Sequence, residues 1–125
     1  VPDPSPDPVV LSDAPIYEIK ANLFKALAHP ARIRVLELLV TADGPVAVSE
    51  LLRELDLEAS LLSQHLAVLK RHHVVTSKRS GNTVTYQLAH GQVADLLRAA
   101  RGFLLDRLQV EQAQLARAAE LAELR

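Results

Sequence analysis

Fifteen consecutive residues, Ala59 to His73 (ASLLSQHLAVLKRHH), constrain the fold more than any other stretch, because their apolar residues recur at helical spacing and leave a small, polar opposite side. At about 100° per residue, Leu62, Leu66, Leu69 and His73 share one stripe, while Ser60, Gln64, Ala67 and Arg71 fall nearly opposite. The first stripe needs a core to bury it. The second is small or hydrogen-bonding: Ser and Gln donate and accept, Ala permits close approach, and Arg forks onto a phosphate or a guanine edge. Such residues read a major groove, and they also suit a plain solvated helix face, so the neighbouring segments must decide.

On the amino-terminal side, Val48 to Leu55 reads as a short helix with Leu51, Leu52 and Leu55 inward, and Asp56 sits at the break before the longer helix. A short helix, a three-residue turn and an amphipathic second helix make a helix-turn-helix. On the carboxy-terminal side, Val74 to Arg79 and Thr83 to Leu88 are β-prone runs around Ser80-Gly81-Asn82, with Val84, Tyr86 and Leu88 alternating with polar residues. That hairpin carries Lys78, Arg79 and Asn82 near its tip, as a wing touching a neighbouring groove or backbone would.

Earlier in the chain, Ser12 or Asp13 is expected to cap a helix with Pro15 in its first turn and Ile16, Ile19, Leu23 and Leu27 as its apolar stripe, ending near Ala28. Pro30 then opens a second helix, Ala31 to Val40, with Ile33, Leu36 and Leu39/Val40 inward and Arg32 and Arg34 solvated or phosphate-facing. Ala42 to Pro45 is a turn. After the hairpin, Gln92 to Leu121 reads as one long helix of about 45 Å, with Val93, Leu97, Ala100, Leu104 and Leu108 on a 3-4 spacing that calls for a partner.

Composition narrows the chemistry. The 125 residues hold no Cys and no Met, which excludes disulfides, thiolate sites and thioether ligands. No Cys nucleophile, Gly-rich phosphate loop or HExxH is present, so an enzyme is not expected. No apolar run approaches a membrane span of roughly 18 residues, and the first residues lack the pattern of a signal peptide, which makes a cytoplasmic protein the expectation. The net charge is −1, yet no Asp or Glu occurs between Glu58 and Asp95, while Lys70, Arg71, Lys78 and Arg79 do. A basic, acid-free window in a nearly neutral chain is the footprint of a patch for a polyanion.

From Leu23 to Leu88 the chain resembles the ArsR/SmtB family of winged helix-turn-helix repressors, through LFKALAHPARIRVLELL, VSELLREL, SLLSQHLAVLK and the hairpin VVTSKRSGNTVTYQL. The resemblance implies a homodimer on an inverted-repeat operator of double-stranded DNA, released by a metal ion or another signal. It implies base contacts from Ser60, Leu61, Ser63, Gln64 and His65, and wing contacts from Lys78, Arg79, Asn82 and Thr83; beside these, the residues themselves make Lys70 and Arg71 the expected phosphate contacts. It also implies a dimer interface on the first and last helices, here Ile16, Leu23, Val93, Leu97, Ala100, Leu104 and Leu108.

The chain departs from the family pattern in places. Asp56 and His73 stand where the family has Gly, and both residue types tolerate a positive φ. Glu58 replaces a capping Ser, and Ala47 removes a capping box with Glu50. Where relatives place two sensing thiolates the chain has Ala47 and Ser49, and where others place last-helix metal ligands it reads His90-x-Gln92 and Phe103-x-x-Asp106. His65 and His72 lie about 10 Å apart along a helix, too far to chelate one ion. His29, beside Pro30, suits capping or packing. The cofactor is therefore unknown, with nickel or zinc left open.

The expected fold class is mainly α with a small β-hairpin: a winged helix-turn-helix of four helices, a hairpin and a last helix. Residues 1–11 are expected to be a flexible Pro/Asp tail, 12–121 a single domain with a long dimerisation helix from about 92 to 121, and 122–125 the carboxy-terminal end. The expected function is that of a dimeric sequence-specific transcriptional regulator, a repressor. The alternative is a winged-helix interaction module whose long last helix binds a partner or co-regulator protein that supplies metal or signal sensing.

Overall fold

The computed structural model describes residues 14–123. The expected tail of residues 1–11 lies outside the described residues, as do the candidate caps Ser12 and Asp13. Among the described residues, those from 14 to 89 make one compact unit and those from 90 to 123 a second.

Helix α1, Ile16–Leu27, has Pro15 at its amino-terminal cap rather than in its first turn. The Pro15 carbonyl accepts from the amides of Glu18 at 3.0 Å and Ile19 at 3.2 Å. Only its carboxy-terminal end is buried, at Ala26 and Leu27; Ile16, Tyr17 and Phe24 stand exposed. Helix α2, Pro30–Thr41, starts one residue earlier than expected because proline itself fits the first helical position. Its inward stripe differs from the expected one. Val35, Leu36 and Leu39 are buried and Ile33 is half-buried, so the stripe continues back through Arg32 at helical spacing.

Between α2 and α3 (Val48–Leu55) the chain forms a two-residue strand, β1, Val46–Ala47, where the sequence suggested only a turn and a helix start. Helix α4 is Ala59–Arg71, followed by β2, Val75–Ser80, and β3, Thr83–Leu88. The sheet therefore has three antiparallel strands in the order β1-β3-β2, with Val46 opposite Tyr86, Val75 opposite Leu88 and Ser80 opposite Thr83. Pairing through Ser80 shortens the hairpin turn to Gly81-Asn82. Gly81 has φ 62 and Asn82 does not share the positive sign, the pattern of a II′ turn with glycine at its first central position.

The end of α4 corrects its expected length. The helix stops at Arg71, not His73, and closes with a Schellman motif: the His73 amide donates to Lys70 at 3.0 Å and the Val74 amide to Leu69 at 2.9 Å. That motif needs a left-handed residue, and His73 supplies it at φ 61, which turns its side chain into solvent instead of along the inward stripe. Asp56 does the same for α3, at φ 52 and ψ 48.

The core of this unit is built from Val35 and Leu36 of α2, Leu51 of α3, Leu62, Leu66 and Leu69 of α4, and Val75 of β2, all essentially without solvent exposure. Three of those seven come from α4, so the inner face of that helix anchors the unit. Truncating such a leucine to alanine costs about 2–5 kcal/mol. The second unit is α5, Gly91–Glu123, a single helix of 33 residues spanning about 50 Å. Phe103, Leu104, Leu105, Leu108, Val110, Leu115 and Leu121 are exposed along it. No helix among the described residues is long and apolar enough to cross a membrane.

Candidate nucleic-acid interface

Helix α3, the turn Asp56 to Glu58 and helix α4 form a continuous two-helix unit. The Asp56 amide donates to the Leu52 carbonyl at 3.1 Å, and the Glu58 carbonyl receives the Leu62 amide at 3.0 Å. Burying Leu62, Leu66 and Leu69 leaves Ser60, Leu61, Ser63, Gln64 and Ala67 facing solvent, with Leu61 38% exposed. A wide, polar and sterically small surface results, with Lys70 and Arg71 exposed on its last turn.

The hairpin stands beside that surface. Ser63 of α4, Ser49 of α3 and the wing residues Asn82, Thr83 and Tyr86 line one cleft of about 420 Å³. Lys78, Arg79, Asn82 and Thr83 are exposed. Among the described residues neither Lys70, Arg71, Lys78 nor Arg79 enters an ion pair; the pairs present join neighbours on helices, such as Arg34 with Glu37 and Arg53 with Glu50. Four cations without internal partners are free to neutralise phosphates.

His65, expected among the base contacts, is not on this solvent face. It is 7% exposed, and its Nδ1 accepts a hydrogen bond from Arg32 Nε at 3.3 Å. Arg32, half-buried, also donates through Nη1 to the Ala26 carbonyl at 3.0 Å, satisfying an acceptor left open in the last turn of α1, so its guanidinium is engaged within the fold. His29 caps α2, its Nδ1 accepting from the Ala31 amide at 3.0 Å, and its ring lies 4.4 Å from that of His65 at a 48° tilt. Burial, followed by the influence of His29 and then Arg32, pushes the His65 imidazole below its ordinary pKa. The sequence carried the signal for this cluster, since His65 lies three residues after Leu62 and four before Leu69, on the inward stripe.

The family's sensing positions do not fit a metal here. Ala47 and Ser49 offer no soft donor, and Gln92 and Phe103 leave His90 and Asp106 without the rest of a set. Among the described residues no group of three or more His, Cys, Asp or Glu side chains is arranged to hold one ion.

A helix-turn-helix followed by a basic-tipped β-hairpin defines a winged helix-turn-helix protein. Residues 27–78 match the family described as a helix-turn-helix domain. The chain is 50% identical over 95 residues to Rv0081, an uncharacterized HTH-type transcriptional regulator of Mycobacterium tuberculosis, covering 75% of this chain and 82% of that one. The crystal structure of Rv0081 superposes with a TM-score of 0.71 at 47% identity, covering 78% of this chain and 97% of that chain. The transcriptional repressor SmtB of the same organism is 37% identical over 94 residues, 75% of this chain and 64% of SmtB. A homodimeric winged helix-turn-helix DNA-binding domain, Mb0332 of Mycobacterium bovis, matches with a TM-score of 0.68 at 26% identity, over 75% and 85% of the two chains. The chain belongs to the ArsR/SmtB family of winged helix-turn-helix transcriptional regulators.

Proposed function

We propose that this chain is a cytoplasmic, dimeric transcriptional repressor that binds an inverted repeat in double-stranded DNA. One observation carries the reading: the solvent face of α4 presents Ser60, Leu61, Ser63 and Gln64 beside a wing whose Lys78 and Arg79 have no internal ion-pair partner among the described residues. Ser60, Ser63 and Gln64 contact base edges and Leu61 packs against them, while Lys70, Arg71, Lys78, Arg79, Asn82 and Thr83 hold the backbone. The homodimeric state of Mb0332 and the repressor activity in the name of SmtB support the dimer and the direction of control. In the dimer, exposed Ile16 and Leu104 and Leu108, with half-buried Leu23, Val93 and Leu97 and exposed Ala100, supply the apolar interface.

The test separates reading from positioning, using a duplex enriched from a random library by the chain itself. Gln64→Ala is expected to lose about 1–3 kcal/mol on that duplex and almost nothing on random DNA, whereas Lys78→Ala and Arg79→Ala weaken both alike. Equal losses on both duplexes for Gln64→Ala would refute its role.

A second reading rests on the exposed apolar residues of α5, from Phe103 to Leu121. In it the helix binds a co-regulator protein that supplies the signal, and the winged core has no sequence preference of its own. Enrichment of any specific duplex by the isolated chain argues against that reading.

A further inference from the structure

We propose, on the reading that α4 contacts DNA, that His29 and Arg32 are positioning residues which set the reading helix through His65, and that acid releases this hold. The contacts form one chain across three helices. Arg32 Nη1 donates to the Ala26 carbonyl at 3.0 Å and its Nε donates to His65 Nδ1 at 3.3 Å, while the His29 ring packs 4.4 Å from that of His65. The end of α1, the start of α2 and the middle of α4 are thereby tied together at a point one residue from Gln64 and two from Ser63. Base contacts demand placement within about 0.5 Å, which a reading face achieves only when its inner side is locked. No buried side-chain nitrogen or oxygen among the described residues lacks a partner, so the cluster leaves no fully enclosed polar atom unpaired.

The hold exists in one protonation state. Accepting from Arg32 requires Nδ1 of His65 to be bare, with the ring proton on Nε2. A second proton would set an N–H against the Arg32 N–H and a cation against a cation in a buried place. The groups bearing on His65 are His29, at the head of α2, and Arg32, within its first turn. Titratable residues of the other elements packed on α4 are exposed: Tyr17, Glu18, Lys20 and Lys25 on α1, Arg34 and Glu37 on α2, Lys78 and Arg79 on β2. The neutral ring belongs to the folded chain, so the stability it brings is full above about pH 6.5 and is lost as pH falls through its lowered folded-state range.

Releasing the hold weakens preference for the enriched duplex over a random one, because the reading face then loses its fixed placement. Anisotropy at fixed salt with the enriched and a random duplex is expected to show, in the wild type, a preference constant above about pH 6.5 that falls about tenfold as the pH is lowered from there to the most acid point at which far-UV circular dichroism is unchanged. His65→Asn keeps an acceptor oxygen near the Nδ1 position and takes up no proton. It should retain neutral-pH affinity within about threefold and lose the pH dependence. Should that variant fail to fold, Arg32→Lys carries the test: its ammonium does not span both acceptors, and it should lose about tenfold in preference at neutral pH and show a flattened profile.

A wild-type preference unchanged across this range, or a profile identical in His65→Asn, overturns the proposal. If no duplex is enriched, the DNA-binding reading fails and 15N NMR decides the hold separately. Amides of Ser60 to Gln64 moving with the His65 titration support it, and amides fixed through that titration overturn it.

Discussion

His73 and Asp56 occupy left-handed backbone without being glycine, and they mark the two places where the helix-turn-helix turns most sharply. Each closes a helix, and each does so at some strain, since a left-handed L-residue costs roughly 1–2 kcal/mol and asparagine-like side chains the least. His73→Gly should therefore stabilise the fold by about 0.5–1 kcal/mol after the entropic cost of glycine, raising the urea midpoint with an unchanged slope. A lowered midpoint would mean that the His73 side chain contributes contacts outweighing the strain. The tolerance of both positions was legible in the sequence, because the residue types betray it. The burial of His65 was legible too, by counting from Leu62 and Leu69, but its polar character and family position placed it with the readers. Arg32 was hidden for a different reason: a charged residue on an amphipathic helix reads as solvated unless its acceptor, the Ala26 carbonyl, is known to be near.

At the scale of elements, long periodic segments declared themselves and the shortest one did not. The hairpin strands and all five helices followed from period-2 and helical patterning, with some ends as expected and the others shifted by at most three residues. Strand β1 is two residues long and pairs with β3 across some forty intervening residues, so no local pattern announces it. It also explains how α3 begins without a capping side chain: Ala47 is held extended by Thr85 opposite, leaving the first amides of α3 without a side-chain acceptor. Ala47→Ser restores the box with Glu50, which now makes only a long 3.9 Å contact to Arg53. We expect a gain of about 1 kcal/mol, seen as a melting temperature higher by several degrees. An unchanged melting temperature would show that strand pairing already fixes this helix start.

For the molecule as a whole, a net charge of −1 conceals segregation. The acid-free window from residue 59 to residue 94 holds α4, the wing and the start of α5, while ten of fifteen acids precede it. The order of these charges along the sequence points to a polyanion surface; which side chains would share it depends on the fold, which places Ser63 on one cleft with Asn82 and Thr83. The positions where relatives carry sensing thiolates are Ala47 and Ser49, neither of which offers a soft donor. Sequence-specific DNA binding is the property on which everything proposed for this chain depends, and fluorescence anisotropy on the DNA flanking its own gene, against a random duplex of equal length, tests it most directly. We predict nanomolar-to-micromolar affinity for the flanking DNA, a clear preference over random sequence, and weakening of both as salt rises. Equal affinity for the two duplexes at every salt concentration would contradict it.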